Sequence, residues 1–421
     1  MPESRWPSAR LDLGFARSQF PALSSDWAFM DNAGGSQVLA VVVDRIREYL
    51  TTSNVQLGAS YGVSVLAARR QREAQASVAE WLNAHDPCEV VMGPSSTMLL
   101  QTLARGLAPS LGPGDEIVVT RVDHESNIGP WMALESRGVT VKVWEFDRER
   151  YVLDLERLER LMTPRTRLVA VTHASNILGA IVPVAEIARR VHQRGAQICV
   201  DGVAYAPHRA IDVRAWNVDY YVCSFYKVFG PHHAVLYGRR DRLLALANQY
   251  HYFIPEDRIP YKLQPGNPNY ELSYGAAGIA DYLVALGERA GAAPGDSRRA
   301  RIEAAYAGIA RHEAALAARL LEFLASRQAV RLLGPPTADP AVRVPTISFV
   351  VRGVTPDTIV GATDRRRIGI RHGDFHARRL VEALDLDPAS GVVRVSLVHY
   401  NSIREVDRLI DVLSGVLPAS R

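Results

Sequence analysis

The sequence predicts an α/β protein: a mostly parallel, seven-stranded sheet covered by helices on both faces, followed by a smaller α+β unit. Three observations predict it. Seven short β-rich runs, at 89–92, 116–121, 139–146, 167–172, 196–200, 220–224 and 234–237, alternate with helical stretches, the order that builds a parallel sheet. Several runs are apolar on both faces, as in Leu168-Val169-Ala170-Val171, which suits strands buried beneath helices on either side. A Gly/Ala/Pro patch at 291–295 then interrupts the chain, and the pattern beyond it changes.

The elements follow in order. Residues 1–28 read as an N-terminal arm, expected to pack with the smaller unit. The turn cluster Asp31-Asn32-Ala33-Gly34-Gly35-Ser36 is placed to cap a helix over 37–50, with Val38, Val42 and Ile46 on one face. A second helix is expected over 65–83. The seven strands carry the large unit, 29–290, and the patch at 291–295 is the expected boundary to the small unit, 291–421. There, 298–327 reads as one long amphipathic helix and 344–351 as a strand. Thr355-Pro356 is a helix start with Thr as N-cap and Pro at the first position, and the last helix covers 403–417.

Composition narrows the function classes. The 421 residues suit one large domain and a smaller one. Hydrophobic residues make up 48% and charged residues 22%, ordinary for a globular protein. The net charge of +4 comes from 49 basic and 45 acidic residues interspersed along the chain, which argues against a nucleic-acid partner. Cys88, Cys199 and Cys223 form no CxxC pair, so neither a disulfide framework nor a zinc site is expected; they read as small core residues in a reducing compartment. The first ten residues carry charges and no apolar core of a signal peptide, and the apolar runs are too short and broken to span a membrane. The cytoplasm is the expected location, and no metal is expected.

In an open parallel sheet, ligands gather at the carboxyl ends of the strands. Asp201 follows the run 196–200, and Tyr226-Lys227 follows 220–224, one strand–helix–strand step later. Taken singly, a loop cap and a solvated lysine account for them. As a pair opening on one sheet edge they fit pyridoxal phosphate (PLP), which needs an amine for its aldehyde and an acid for its pyridine nitrogen. Gly93-Pro94-Ser95-Ser96-Thr97 opens a helix after 89–92, a seat for the cofactor phosphate; it is not a Walker A loop. His124, in Asp123-His124-Glu125-Ser126-Asn127, is placed to stack on the cofactor ring and pass protons. Asn176 is placed to donate to the cofactor phenolic oxygen or to a substrate carboxylate. Near the C-terminus, Arg394 sits in the apolar run Val392-Val393-Arg394-Val395-Ser396. A guanidinium there matches an α-carboxylate. Arg371 is a second such candidate, although Arg365, Arg366 and Arg367 beside it read as solvated.

These motifs resemble the cysteine desulfurase-like branch of the class V aminotransferases, within PLP fold type I, over about residues 29–413. They are Asp123-His124-Glu125-Ser126-Asn127, the segment Thr172-His173-Ala174-Ser175-Asn176-Ile177-Leu178-Gly179, and those at 200–208, 224–232 and 394–401. The resemblance implies Lys227 as the Schiff-base lysine and Asp201 as the pyridinium partner. It implies His124 over the ring and Asn176 near the phenolic oxygen and substrate. Ser95, Ser224 and Tyr226 would hold the phosphate and Arg394 the substrate carboxylate, with Arg371 nearby. It further implies a homodimer with shared active sites, in which Asn267 of Gly266-Asn267-Pro268-Asn269 stands where a threonine reaching the partner's phosphate is usual. Three departures stand out. His376 occupies the position of the desulfurase cysteine, Ala204 that of a glutamine usually near the phenolic oxygen, and the loop 54–64 differs.

Without the persulfide-accepting cysteine, the expected reaction is C–S β-lysis of an S-substituted cysteine. Lys227 would be the base and His124 a proton relay to sulfur. The alternatives are transamination, epimerisation or decarboxylating oxidative deamination on the same cofactor, and, less favoured, cysteine desulfuration or a non-catalytic binding protein. No GxGxxG follows any strand, which disfavours a nicotinamide-dependent dehydrogenase.

Overall fold

The computed structural model describes residues 6 and 8–418; the remainder of the predicted arm, 1–5 and 7, lies outside the described residues. A two-residue strand, β1 (Ala28–Phe29), precedes the large sheet. That sheet contains β2 (Val90–Gly93), β3 (Glu116–Thr120), β4 (Thr140–Trp144), β5 (Thr166–Thr172), β6 (Gln197–Asp201), β7 (Tyr220–Ser224) and β8 (Ala234–Gly238), in the order β2-β8-β7-β6-β5-β3-β4. The expected seven-stranded α/β fold is present. Pairs β3–β4, β3–β5, β5–β6 and β6–β7 are parallel, and β8 alone runs against its neighbours β7 and β2. All the other strands therefore end at the same edge.

Alternation along each strand divides the core in two. Val169, Val171, Ile198, Val200, Tyr221 and Cys223 pack on one face, and Leu168, Ala170, Cys199, Tyr220 and Val222 on the other. This two-residue period is what a sheet covered on both sides requires. The edge strand β4 is only partly buried.

A second sheet holds β9 (Val330–Leu333), β10 (Thr346–Val351), β12 (Arg371–Gly373) and β13 (Val392–Ser396), antiparallel in the order β12-β13-β10-β9. Strand β11 (Ile368–Gly369) pairs in parallel with β1, so the chain at 28–29 joins the C-terminal half. Helix Arg298–Ala325 crosses between the sheets. Tyr306 near its start accepts a hydrogen bond from Trp81 Nε1 (3.1 Å), and Leu316 and Leu320 enter the C-terminal core with Phe349, Val393 and Leu409. Helix Pro356–Asp364 is capped by the Thr355 hydroxyl, which accepts from Thr358 N–H at 3.3 Å.

One element differs from expectation. The turn cluster 31–36 does not cap the following helix, which spans Ala40–Thr52 behind Leu39 with no side-chain cap. The Ser36 hydroxyl instead accepts from Phe229 N–H (2.8 Å) and donates to the Tyr226 carbonyl (3.2 Å), because a tertiary partner outcompetes the local one. Helix Tyr270–Arg289 is buried nearly all round, between Ala40–Thr52, Gly62–Leu82 and Arg298–Ala325. Its glycines allow that contact. A Cβ on Gly275 would stand 2.6 Å from Ile46, and one on Gly287 would stand 1.9 Å from the Arg301 carbonyl oxygen.

Gly287→Ala therefore tests the packing. Helix propensity alone favours alanine by about 1 kcal/mol, but the clash is with backbone. The expected net result is a loss of about 1–3 kcal/mol, seen as a lower denaturant midpoint; an unchanged or raised midpoint would mean the two helices separate freely.

Candidate active site

The site begins where β6 and β7 stop. Asp201 ends β6, and the chain turns at once through Gly202, where a Cβ would meet the Tyr221 ring at 2.2 Å. The turn lets Asp201 Oδ1 accept the Val203 N–H at 2.9 Å. Beyond Ser224, a single turn of 3-10 helix, Phe225–Lys227, carries Lys227 back over the strand ends into a cleft. The cleft is lined by Ser96, His124, Asn176, Asp201, Ser224 and Tyr226, together with Ala204. Lys227 is buried beside Arg394. Burial, followed by the Arg394 charge, pulls its amine down to about 8, while Asp201 and Asp31 pull the other way. Burial pushes the Asp201 carboxyl up, against the Val203 N–H and the Lys227 charge.

At one end of the cleft, the hydroxyls of Ser96 and Ser224 face each other at 2.7 Å across the start of helix Ser96–Leu107. The Ser95 hydroxyl is occupied differently, capping that helix by accepting from Met98 N–H at 3.2 Å. The structure thus brings Ser96 and Ser224 together in the cleft and leaves Ser95 at its edge.

The His124 turn is anchored from beneath by buried Asp123, which accepts from Thr120 Oγ1, from Asn127 Nδ2 (2.7 Å) and from Thr172 N–H (3.1 Å). His124 Nδ1 accepts the Ser126 N–H at 3.1 Å. A nitrogen that accepts from a backbone donor carries no proton, so the imidazole is the Nε2–H tautomer. Burial, followed by the Lys227 charge, holds its pKa down to about 3, leaving the ring neutral.

The C-terminal sheet contributes the other wall. Arg394, from β13, is 1% exposed. Its Nη2 donates to Asp31 Oδ1 (2.9 Å), its Nη1 donates to the Asn176 carbonyl (3.2 Å), and its guanidinium lies 3.6 Å from the centre of the Phe375 ring. Arg371 is more exposed and stands 3.6 Å from Asp31 Oδ2. Asn176 donates from Nδ2 to the Phe375 carbonyl (3.0 Å), and its Oδ1 is buried without a partner. His376 lies across from His124, ring centres 5.3 Å apart. Phe375 and His376 have φ of +50° and +56°, a left-handed pair that side chains adopt at a cost. The Asn176 bond, a bond from Glu125 N–H to the His376 carbonyl (2.8 Å) and the Arg379–Glu125 ion pair hold them there.

Asn267 is not in this cleft. It occupies a left-handed turn at a separate hollow with Gln264, Tyr270 and Ser273. The cysteines lie elsewhere. Cys199 and Cys223 are inside β6 and β7, their thiols pushed up by burial, and the half-buried Cys88 thiol, beside Asp86, is pushed up to about 11. Asp31 and Phe375 are the residues that strand-end reasoning missed. The signal for Asp31 was an acid in a glycine turn, which reads locally as a cap.

A buried amine that titrates near 8, with an acid one strand away and paired hydroxyls at a helix start, fits PLP. The orphaned Asn176 Oδ1 is a polar atom left for a bound group to meet. The protein is a PLP-dependent enzyme of the α/β type. The chain belongs to the class V aminotransferase family, whose model, "Aminotransferase class-V", matches residues 28–409, and within it to the cysteine desulfurase-like members. It is 42% identical to the aminotransferase-like protein FGM3 of Gibberella zeae, covering 97% of this chain and 100% of that one. It is 34% identical to the cysteine desulfurase-like protein ustD of Aspergillus flavus, covering 94% and 88%. The apo cysteine desulfurase of Thermococcus onnurineus NA1 superposes with a TM-score of 0.85 at 26% identity, covering 97% and 99%. The fold is PLP fold type I. No helix among the described residues is long and apolar enough to cross a membrane.

The lowered Lys227 pKa has a kinetic consequence. Only the neutral amine captures the cofactor aldehyde, and it predominates above pH 8 rather than above the ordinary 10.5. The rate at which PLP-free protein develops its visible band should therefore rise through a midpoint near pH 8. Arg394→Gln, by removing a neighbouring cation, should move that midpoint upward. A wild-type midpoint near 10 would contradict the burial described.

Proposed function

We propose that the protein is a C–S β-lyase that releases a thiol from an S-substituted cysteine. The observation that carries this reading is that the position facing His124 holds an imidazole, His376, while all three thiols lie outside the cleft. A desulfurase must pass sulfur to a protein thiolate; a lyase lets the substituted sulfur leave with its own group.

PLP, when bound, spreads the electron pair left on the substrate's α-carbon. The chain's own residues do the rest. Arg394 holds the substrate carboxylate, with Asn176 beside it and Arg371 at the entrance. Asp201 would keep the pyridine nitrogen protonated. Ser96, Ser224 and Tyr226 would hold the phosphate, and His124 would lie against the ring. Lys227 Nζ takes the α-proton and becomes an ammonium with a pKa near that of a thiol. Because His124 stays neutral, the proton for the departing sulfur comes from Lys227, and His124 contributes a hydrogen bond from Nε2 rather than a relayed proton. Water then completes the balance, giving thiol, pyruvate and ammonium. A cavity of about 800 Å³ opens beside His124 and His376, with Ala104, Ala108, Pro130 and Leu134 in its wall, and gives the sulfur substituent room.

The enzyme works as a homodimer in this reading. Tyr61, Val65, Met98, Tyr252 and Phe253 are exposed apolar side chains on one monomer, and Asn267 lies in a turn beyond this chain's own cleft. Sedimentation of the PLP-loaded protein should give twice the chain mass; a monomer would remove Asn267 from any shared site.

Incubation with a panel of cysteine S-conjugates should yield thiol and pyruvate in equal amounts. Neither product, with loss of the visible band and appearance of a keto acid that keeps its sulfur, would replace lysis by transamination. Lys227→Ala should abolish turnover and the visible band while the protein stays folded. Arg394→Ala should raise KM by a factor of roughly 10 to 150, the equivalent of ~1.5–3 kcal/mol for a charged hydrogen bond; an unchanged KM would take the carboxylate role from Arg394.

A further inference from the structure

The arginine assigned to the substrate carboxylate already has an anion. Asp31 lies between Arg394 (2.9 Å) and Arg371 (3.6 Å), and both guanidinium groups lie over the Phe375 ring, at 3.6 and 5.4 Å. The arrangement is built rather than incidental. The Asp31 backbone bridges to Ser396, at the end of Arg394's own strand, and the next residue, Asn32, is buried and donates from Nδ2 to the Ser396 carbonyl (2.8 Å) and to Asn401 Oδ1 (3.2 Å). Gly34 makes room for the carboxylate, since a Cβ there would stand 2.8 Å from Asp31 Oδ2. Within the buried guanidinium, Nη1 and Nη2 have protein acceptors and Nε has none.

We propose that Asp31 is a positioning residue that sets both the aim and the net charge of the carboxylate subsite, so that it takes one carboxylate and no more. Two arginines and one aspartate leave a single positive charge. Asp31 fixes one side of the Arg394 fork, and the unpartnered Nε–H remains as the donor for the ligand. Without Asp31, two adjacent cations would face the cleft and would favour a doubly charged anion. A purely structural Asp31 would instead weaken all ligands alike or destabilise the turn. The inference rests on Arg394 as the carboxylate site, and it is independent of which bond the enzyme breaks.

The test uses two unreactive probes, butyrate and succinate, titrated calorimetrically into the PLP-loaded protein. The quantity read is the ratio of succinate to butyrate affinity. Asp31→Asn should raise that ratio at least tenfold. Arg371→Gln should lower it, because the subsite then has no net charge. The double variant restores one positive charge and should return the ratio to within about threefold of the unmodified protein. A ratio unchanged in Asp31→Asn, or not returned in the double variant, overturns the proposal. Should Asp31→Asn fail to fold, Arg371→Gln decides alone, a fall supporting the proposal and no change overturning it. Arg394→Gln should abolish binding of both probes. If it does not, the carboxylate site lies elsewhere and this inference falls with it, whether or not thiol release has been observed.

Discussion

A lysine ammonium buried next to a buried guanidinium is the constraint around which the rest of this site is organised. Each charge taken out of water costs several kcal/mol unless it is compensated, and here two like charges share one cleft. The chain responds in two ways. It supplies one acid per cation, Asp201 for Lys227 and Asp31 for Arg394, and it lets the softer cation give up its proton more readily. The arginine cannot respond in that way, since its pKa falls only to about 10 and it stays charged. The lysine, proposed above to react as the free amine, bears the adjustment. The electrostatic strain of the fold thus falls on the group whose chemistry benefits from it.

Much of this was legible in the sequence, for physical reasons that differ by element. The central strands announced themselves because strands of a covered sheet must be apolar on both faces, and the partly buried edge strand β4 by its place in the alternation of strands and helices. Asp201 and Lys227 were visible only as a pair, one strand–helix–strand step apart at the strand ends, since each alone reads as a loop cap or a solvated lysine. Arg394 was visible because a guanidinium in the middle of an apolar run is costly without an anion. His124 and Asn176 rested on the same rule that strand ends collect ligands.

What escaped is what depends on contacts between distant segments. Asp31 reads locally as a turn acid, and only the pairing of the chain at 28–33 with β11 and β13 reveals it as the anion beside Arg394. Ser95 and Ser96 are chemically identical neighbours, and which hydroxyl caps and which faces the cleft is decided by one residue of helix phase. The left-handed pair Phe375-His376 has no glycine to mark it; its conformation is imposed by Asn176, Glu125 and Arg394 from other elements.

The stitch at the N-terminal turn also bears on how the chain comes to life. Asn32 and Ser396 are hydrogen-bonded across 364 positions of sequence, so the turn waits for a partner made long after it. Every strand of the large sheet can form while Asp31 is still unpaired, because that sheet closes by residue 238. Contacts of such separation form slowly and late. Synthesis therefore passes through chains that hold Lys227 and Asp201 but not yet Arg394. The two charges of that pair, Arg394 and Asp31, meet only when β13 docks on the turn, so the wall of the cleft is completed by the second sheet and not by the first.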